Sequence, residues 1–126
     1  MSDITEMNYR ARRLVKHGDL NPNGTLFGGQ MLEWIDEEAA IFTMCQLGNA
    51  RIVTAHMSDI NFESTAVLGE VVEIGTALVK FGRSSITVSC EVRNKNTKKT
   101  IISVGEIVFV NLGEDGKPTP HGKGPQ

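Results

Sequence analysis

Hydrophobic residues recur along the chain in two rhythms, one helical and one strand-like. From about Gly29 to Leu47, apolar side chains follow the three- and four-residue spacing of an amphipathic helix. They are Met31, Leu32, Trp34, Ile35, Ala39 and Phe42. Gly48 and Asn49 follow, a pair suited to a C-terminal cap. The pattern therefore predicts one long helix in the first half of the chain.

The other apolar residues alternate with polar ones, as in strands, with turn residues between them. The predicted strands are YRARRLV at 9–15, RIVTAHMSDINF at 51–62, EVVEIGTALVKF at 70–81, ITVSCEVR at 86–93 and TIISVGEIVFV at 100–110. The last is almost continuously apolar, which indicates a strand covered on both faces. We expect one strand, then the helix, then four strands in a tandem meander.

This order predicts an α+β fold in which a curved antiparallel β-sheet of about five strands wraps one long helix. A length of 126 residues fits a single domain, which we place at residues 1–112, followed by a Gly/Pro-rich tail at 113–126. One helix cannot cover both faces of such a sheet. We therefore expect at least a homodimer.

Composition narrows the class of protein. A formal net charge of −2 gives no basic footprint, so we expect no nucleic-acid partner. No apolar run approaches the ~20 residues that span a bilayer, so we expect no membrane segment. Cys45 and Cys90 are far apart, and His17, His56 and His121 are isolated, so no metal site is predicted. Two cysteines without a pairing pattern are typical of a cytoplasmic protein.

A glycine-rich stretch, NPNGTLFGG at 21–29, leads directly into the predicted helix. Helix N-termini carry free backbone N–H groups and a partial positive charge. Gly28 and Gly29 would let a carbonyl oxygen approach those groups, which would then form an oxyanion site. A tight turn with close helix–sheet packing explains the same glycines without any ligand. Asn21, before a proline, is a common turn initiator.

Asp36 lies in the middle of the helix at the edge of the apolar stripe. A carboxylate there is costly unless it is paired or used in chemistry. We interpret Asp36 as a general base that activates water, or as a nucleophile that forms a mixed anhydride. The ordinary alternative is a charge that faces solvent at the boundary of the stripe.

These residues together resemble a known family, the acyl-CoA hydrolase branch of the hotdog-fold thioesterases. The motif is Asn21-x-x-Gly24-x-x-Phe27-Gly28-Gly29, followed seven residues later by Asp36. The segments at 52–92 and 112–120 (LGEDGKPTP) continue the resemblance, which spans nearly the whole chain. The sequence departs from some relatives at Phe27, where they carry histidine before the two glycines.

The resemblance implies a hotdog fold, a homodimer with the active site at the subunit interface, and commonly a trimer of dimers, which is a hexamer. It implies an enzyme of lipid metabolism that hydrolyses acyl-CoA to a free carboxylic acid and coenzyme A without a cofactor. Asp36, Gly28 and Gly29 would then be catalytic. The Asn21 amide would hold the substrate carbonyl or the attacking water, across the interface from Asp36 of the other subunit.

Residues for binding coenzyme A are harder to identify. Gly82, Arg83, Ser84 and Ser85 follow a strand and offer N–H groups, hydroxyls and a guanidinium to pantetheine or phosphates. Thr54, on a strand predicted beside the helix, would line the thioester channel.

Two other functions use the same fold. A hydratase is disfavoured because Ile41 stands where those relatives usually carry histidine. The alternative that stays open is a non-catalytic protein that binds acyl-CoA or another acyl ligand. The sequence does not determine acyl chain length, pathway or nucleotide regulation.

Overall fold

The computed structural model describes residues 6–124 as one helix packed against a five-stranded antiparallel sheet. The elements are β1 Asn8–Leu14, a 3-10 turn at His17–Asp19, α1 Gly28–Leu47, β2 Ile52–Phe62, β3 Val71–Phe81, β4 Ser85–Asn94 and β5 Thr100–Asn111. The predicted α+β fold is confirmed. Residues 1–5 and 125–126 of the predicted domain and tail lie outside the described residues. Within 6–124, no helix is both long and apolar enough to cross a membrane.

The order of strands across the sheet is β1-β3-β4-β5-β2. The predicted tandem meander is wrong for β2, which lies beside β5 at the far edge, whereas β3, β4 and β5 do form a meander. The connection at 63–70 has an extended reach of about 26 Å, enough to cross three strand spacings of about 5 Å each. It passes the start of α1, where Leu26 N donates to Ala66 O at 2.8 Å.

The helix packs on the sheet through the predicted stripe. Its buried residues are Met31, Trp34, Ile35, Ala39, Thr43 and Leu47. They meet apolar side chains of β3, β4 and β5, and the largest of these include Ile74, Ile86, Val88, Val92, Ile107 and Phe109. Gly48 ends the helix at φ 75°, in the left-handed region, with its N–H on Met44 O at 2.8 Å. The predicted C-terminal cap is confirmed.

The strand with covered residues on both faces is β3, not β5 as predicted. Residues 72–78 are all buried, whereas β5 alternates between buried and half-buried side chains along its second half. Gly75 explains the cover on the outer face, since a Cβ there would lie 2.6 Å from the Met7 side chain and 2.7 Å from the Tyr9 ring. Because Gly75 has no side chain, Met7 and Tyr9 can pack on the outer face of β3.

The segment after β5 folds back onto the sheet. Leu112 and Pro118 form a β-bridge, and Thr119 N donates to Asn111 O at 2.9 Å. His121 N then donates to Arg83 O at 3.2 Å. The segment at 112–121 is thereby fastened to the turn between β3 and β4. The predicted domain boundary at residue 112 stays a prediction.

One edge of the sheet is β2, which among residues 6–124 pairs only with β5. An edge strand of this kind presents a row of backbone N–H and C=O groups on its other side. Val53, Ile60 and Phe62 on this strand are large apolar residues that are exposed in the single chain. An apolar edge strand of this kind is suited to pairing with another chain.

A buried carboxylate organises the opposite, outer face of the sheet. The Glu73 side chain is only 3% exposed and lies 2.9 Å from both Arg93 Nε and Lys98 Nζ, and 3.7 Å from Arg12 Nε. The hydrogen bond from Lys98 lowers the pKa of Glu73 below its ordinary value of 4.5, and the Arg93 bond adds to this effect against the opposing effect of burial.

Because the pKa of Glu73 is lowered in the folded state, its ionised form stabilises the fold above the ordinary value of 4.5 and this contribution is lost as pH falls below it. Glu73→Gln should lower the free energy of unfolding by about 1–3 kcal/mol at neutral pH. It should also remove part of the decline in stability on acidification. Urea denaturation between pH 7 and pH 3 measures both effects. Glu114→Gln, at an exposed position, is the control, and identical curves for the two variants would contradict the prediction.

Candidate active site

Asp36 projects from α1 toward the edge strand β2. Its Oδ1 accepts a hydrogen bond of 2.9 Å from Thr54 Oγ1. Ile35 beside it is fully buried, so Asp36 stands at the boundary between the core and solvent. Thr54 was predicted to line a substrate channel. The structure brings its hydroxyl to the acid itself, where it fixes the orientation of the carboxylate.

The acids next to Asp36 are engaged elsewhere. Arg13 of β1 lies 2.8 Å from Glu38 and 3.8 Å from Glu37. Asp36 opens onto a groove along α1, lined by Arg13, Glu37, Glu38, Ala40, Ile41 and Met44. Among residues 6–124, Asp36 makes no ion pair, so it is the carboxylate of this groove that no cation holds.

The start of α1 presents two free donors. Phe27 is the N-cap and makes no side-chain capping bond, and the first turn holds no acidic residue. Phe27 O accepts from Gln30 N at 3.1 Å and Met31 N at 3.2 Å. The N–H groups of Gly28 and Gly29 have no partner among the described residues. Two adjacent donors at the positive end of a helix can hold an oxygen that gains negative charge.

The two glycines make room for aromatic rings. A Cβ on Gly29 would lie 2.6 Å from the Phe27 ring, and one on Gly28 would lie 3.0 Å from the Phe62 ring. We predicted that the missing side chains would open an approach for a carbonyl. The rings of Phe62 and Phe27 lie where those side chains would be, the two N–H groups have no partner among the described residues, and the approach of a carbonyl stays a prediction.

Asn21 uses most of its amide in a local turn. Its Oδ1 accepts from Asn23 N at 2.9 Å and Thr25 N at 3.1 Å, and its Nδ2 donates to Thr25 Oγ1 at 2.9 Å. One amide hydrogen is left for another partner. These bonds are those expected of a turn residue, and a direct role for Asn21 in the chemistry stays a prediction.

The turn at 82–85 lies near the Thr54 end of the sheet. Ile86 and Thr54 both pair with Phe109, so they are two strand spacings apart, about 10 Å. Gly82 N donates to Ser85 O at 2.9 Å, and His121 Nε2 lies 2.8 Å from the same oxygen. The Arg83 and Ser84 carbonyls accept bonds from His121 and Asn111. Several backbone oxygens of the turn are thus used, while the exposed Arg83 side chain faces solvent.

One of the two thiols, Cys90, is buried. Burial raises the pKa of Cys90 to about 12, and the charges of Glu38 and Asp36 act in the same direction. A thiol with that pKa does not supply a thiolate near neutral pH. No cluster of three metal-ligating side chains occurs within residues 6–124.

This fold and site define a hotdog-fold thioesterase. The sequence profile of the Thioesterase superfamily matches residues 23–101, and the chain belongs to that family. The acyl-CoA thioester hydrolase YciA of Salmonella typhimurium is 30% identical to it over 115 residues, which cover 86% of each chain. The predicted family is confirmed.

Solved structures give the same result. The hexameric thioesterase y2039 from Yersinia pestis superimposes with a TM-score of 0.83 at 28% identity, covering 93% of this chain and 97% of that one. The acyl-CoA hydrolase from Staphylococcus aureus, solved with butyryl coenzyme A and coenzyme A, has a TM-score of 0.80 at 30% identity, covering 90% of this chain and 68% of that one. The predicted hotdog fold is confirmed, while the roles of individual site residues stay predictions.

Thr54→Val removes the only hydroxyl that holds Asp36 among the described residues. Since a hydrogen bond to a charged group is worth about 1.5–3 kcal/mol, we expect a roughly 10–100-fold fall in kcat of thioester hydrolysis with a smaller change in KM. Thr54→Ser keeps the hydroxyl and should retain most of the rate. Equal rates for the valine and serine variants in a thiol-release assay would exclude this role.

Proposed function

We propose that this protein hydrolyses acyl-CoA to a free carboxylic acid and coenzyme A without a cofactor. The observation that carries the proposal is the pair of groups just described, an oriented carboxylate without a cation and two free N–H donors at a helix start. The names of the relatives, acyl-CoA thioester hydrolases and thioesterases, support the same substrate class.

Each group has a defined part in the reaction. Asp36 takes a proton from a water molecule while the oxygen of that water bonds to the thioester carbon. The carbonyl oxygen becomes negative and is held by the N–H groups of Gly28 and Gly29. Collapse of this intermediate breaks the carbon–sulfur bond, and the proton on Asp36 passes to the leaving thiolate. Direct attack by Asp36, with hydrolysis of the resulting anhydride, satisfies the same geometry.

One chain does not complete this site. Asp36 lies eight positions after Gly28 along α1, which is about 12 Å at the helical rise. A reacting carbon has to lie within about 3 Å of both the attacking group and the oxyanion donors. The acid of one chain therefore works with the helix start of another.

The free edge of β2 supplies a way to bring them together. Thr54 holds Asp36 at one end of the strand, and Phe62 lies against Gly28 at the other. Ser58 is midway between them. Antiparallel pairing of two β2 strands about a two-fold axis near Ser58 sets Thr54 of one copy opposite Phe62 of the other. Each carboxylate then faces the helix start of the second copy, which makes a homodimer with two equivalent sites.

Two further proposals concern the assembly of the dimers and the binding of coenzyme A. We propose a trimer of dimers, since the matched Yersinia pestis thioesterase is hexameric. We propose that the turn at 82–85 binds the pantetheine or phosphates, a role supported by the exposed side chain of Arg83. The cytoplasm is the proposed location, supported by the two unpaired cysteines, Cys45 and Cys90.

Asp36→Asn should lower kcat by about 10²–10⁴-fold because the amide cannot accept the proton from water. Release of free thiol from acyl-CoAs of short, medium and long chains measures the rate. Glu37→Gln changes the neighbouring acid and should keep near-normal activity. Wild-type protein that binds these acyl-CoAs without turning any over would contradict hydrolysis and favour an acyl-CoA binding protein.

Ser58→Cys should form a disulfide between two copies under mild oxidation, because residues on a two-fold axis of antiparallel strands have Cα atoms about 4.5–5.5 Å apart. The change is made together with Cys45→Ser to remove the exposed native thiol. Val53→Cys is the control, since its two copies would lie about 30 Å apart. Non-reducing gels read the product, and cross-linking of Val53→Cys in place of Ser58→Cys would exclude this register.

A further inference from the structure

We propose that Phe27 is a positioning residue that keeps the Gly29 N–H at the start of α1 unoccupied until a thioester carbonyl arrives. It does so by holding the N-cap position with a side chain that contains no hydrogen-bond acceptor. This inference deepens the proposed function and rests on it, because it assigns the free N–H groups of Gly28 and Gly29 to the substrate carbonyl.

The backbone at Phe27 is already that of a capped helix. Its φ of −68° and ψ of 130° are extended, and its carbonyl accepts the first bonds of the helix. At such a position serine, threonine, asparagine or aspartate would accept a bond from the N–H of the second or third helical residue. Those residues are Gly29 and Gln30. Phenylalanine is among the side chains that cannot do this, so its presence leaves the helix start less stable than the backbone permits.

Other groups that often satisfy a helix start are also engaged elsewhere. Gln30 holds the position from which a side-chain oxygen can return to the N-cap N–H, but its side chain extends toward Glu33, to which Nε2 donates at 3.4 Å. The N-cap N–H of Phe27 is used by Asp19 O at 2.8 Å. The Asn21 amide oxygen is shared by two backbone donors of its own turn. Within residues 6–124, then, nothing competes for Gly28 and Gly29.

The ring of Phe27 also changes the surroundings of these donors. It lies on Gly29, while the Phe62 ring lies on Gly28. Phe27 is 55% exposed and Phe62 is 56% exposed, so both rings also face outward. Apolar groups beside a hydrogen-bond donor lower the local dielectric and strengthen the bond that it forms. The Phe27 side chain therefore leaves the Gly29 donor unoccupied and strengthens the bond that this donor can form.

The test compares Phe27→Ser with Phe27→Ala. Both variants remove the ring, and they differ by one oxygen that can cap the helix. Phe27→Ser should melt about 2–5 °C above Phe27→Ala. Its kcat should be about fivefold lower, because the cap has to break before the carbonyl binds. Phe27→Asp, with a full negative charge beside the developing oxyanion, should be slower than Phe27→Ala by on the order of 10²-fold.

A merely structural residue would not give this result, since the more stable variant would then be at least as active. A higher melting temperature for Phe27→Ser with a kcat equal to or above that of Phe27→Ala overturns the inference. Equal melting temperatures and equal kcat values overturn it as well.

A binding experiment separates this inference from the proposed hydrolysis. The ligands are a 2-oxoalkyl thioether of coenzyme A, which keeps a carbonyl but cannot be hydrolysed, and the alkyl thioether of the same length without it. Wild-type protein should bind the ketone more tightly, and Phe27→Ser should lose more of that preference than Phe27→Ala. This result with no turnover of any acyl-CoA would refute the hydrolysis and support the inference. Turnover by the wild type with the same preference in both variants would refute the inference alone.

Discussion

The constraint on which the site depends is the way α1 lies along the edge strand β2. The helix and the strand run in opposite directions and touch at two points that matter, the bond between Thr54 and Asp36 and the packing of Phe62 on Gly28. A rigid helix holds the acid and the donors about 12 Å apart. In the proposed mechanism that distance is too long for one chain, and the pairing of two β2 edges would bring the acid of one copy to the donors of the other.

Much of the fold could be predicted from local pattern. The stripe that contains Ile35 and Ala39 defined α1, and Gly48 marked its end. The position of β2 could not be predicted in this way, because alternation identifies a strand without naming its neighbours. The eight-residue segment at 63–70 is longer than a hairpin loop, and that length was the available signal for a crossover. The burial of the outer face of β3 could not be predicted from local pattern either, because the residues that cover it, Met7 and Tyr9, are distant in sequence.

Some residues of the candidate site stand out in the sequence, whereas the contacts between them do not. Asp36 and the two glycines stand out because each is a residue type that is costly where it occurs. The hydrogen bond of Thr54 to Asp36 could not be predicted, since a threonine on a strand has many ordinary uses and its partner is 18 positions away. The sequence marks Phe27 only as a departure from a motif. The backbone angles at the helix start show that it is the N-cap, where a polar side chain would bond a backbone N–H of the first turn.

The fastening of segment 112–121 onto the turn at 82–85 bears on the order in which the molecule can be completed. The chain is synthesised from its N-terminal side onward, and a domain folds as a unit. The carbonyls of Arg83 and Ser85 receive their bonds from His121, which is made almost forty residues later. The hydrogen bonds of this turn can therefore be completed only after His121 has been synthesised.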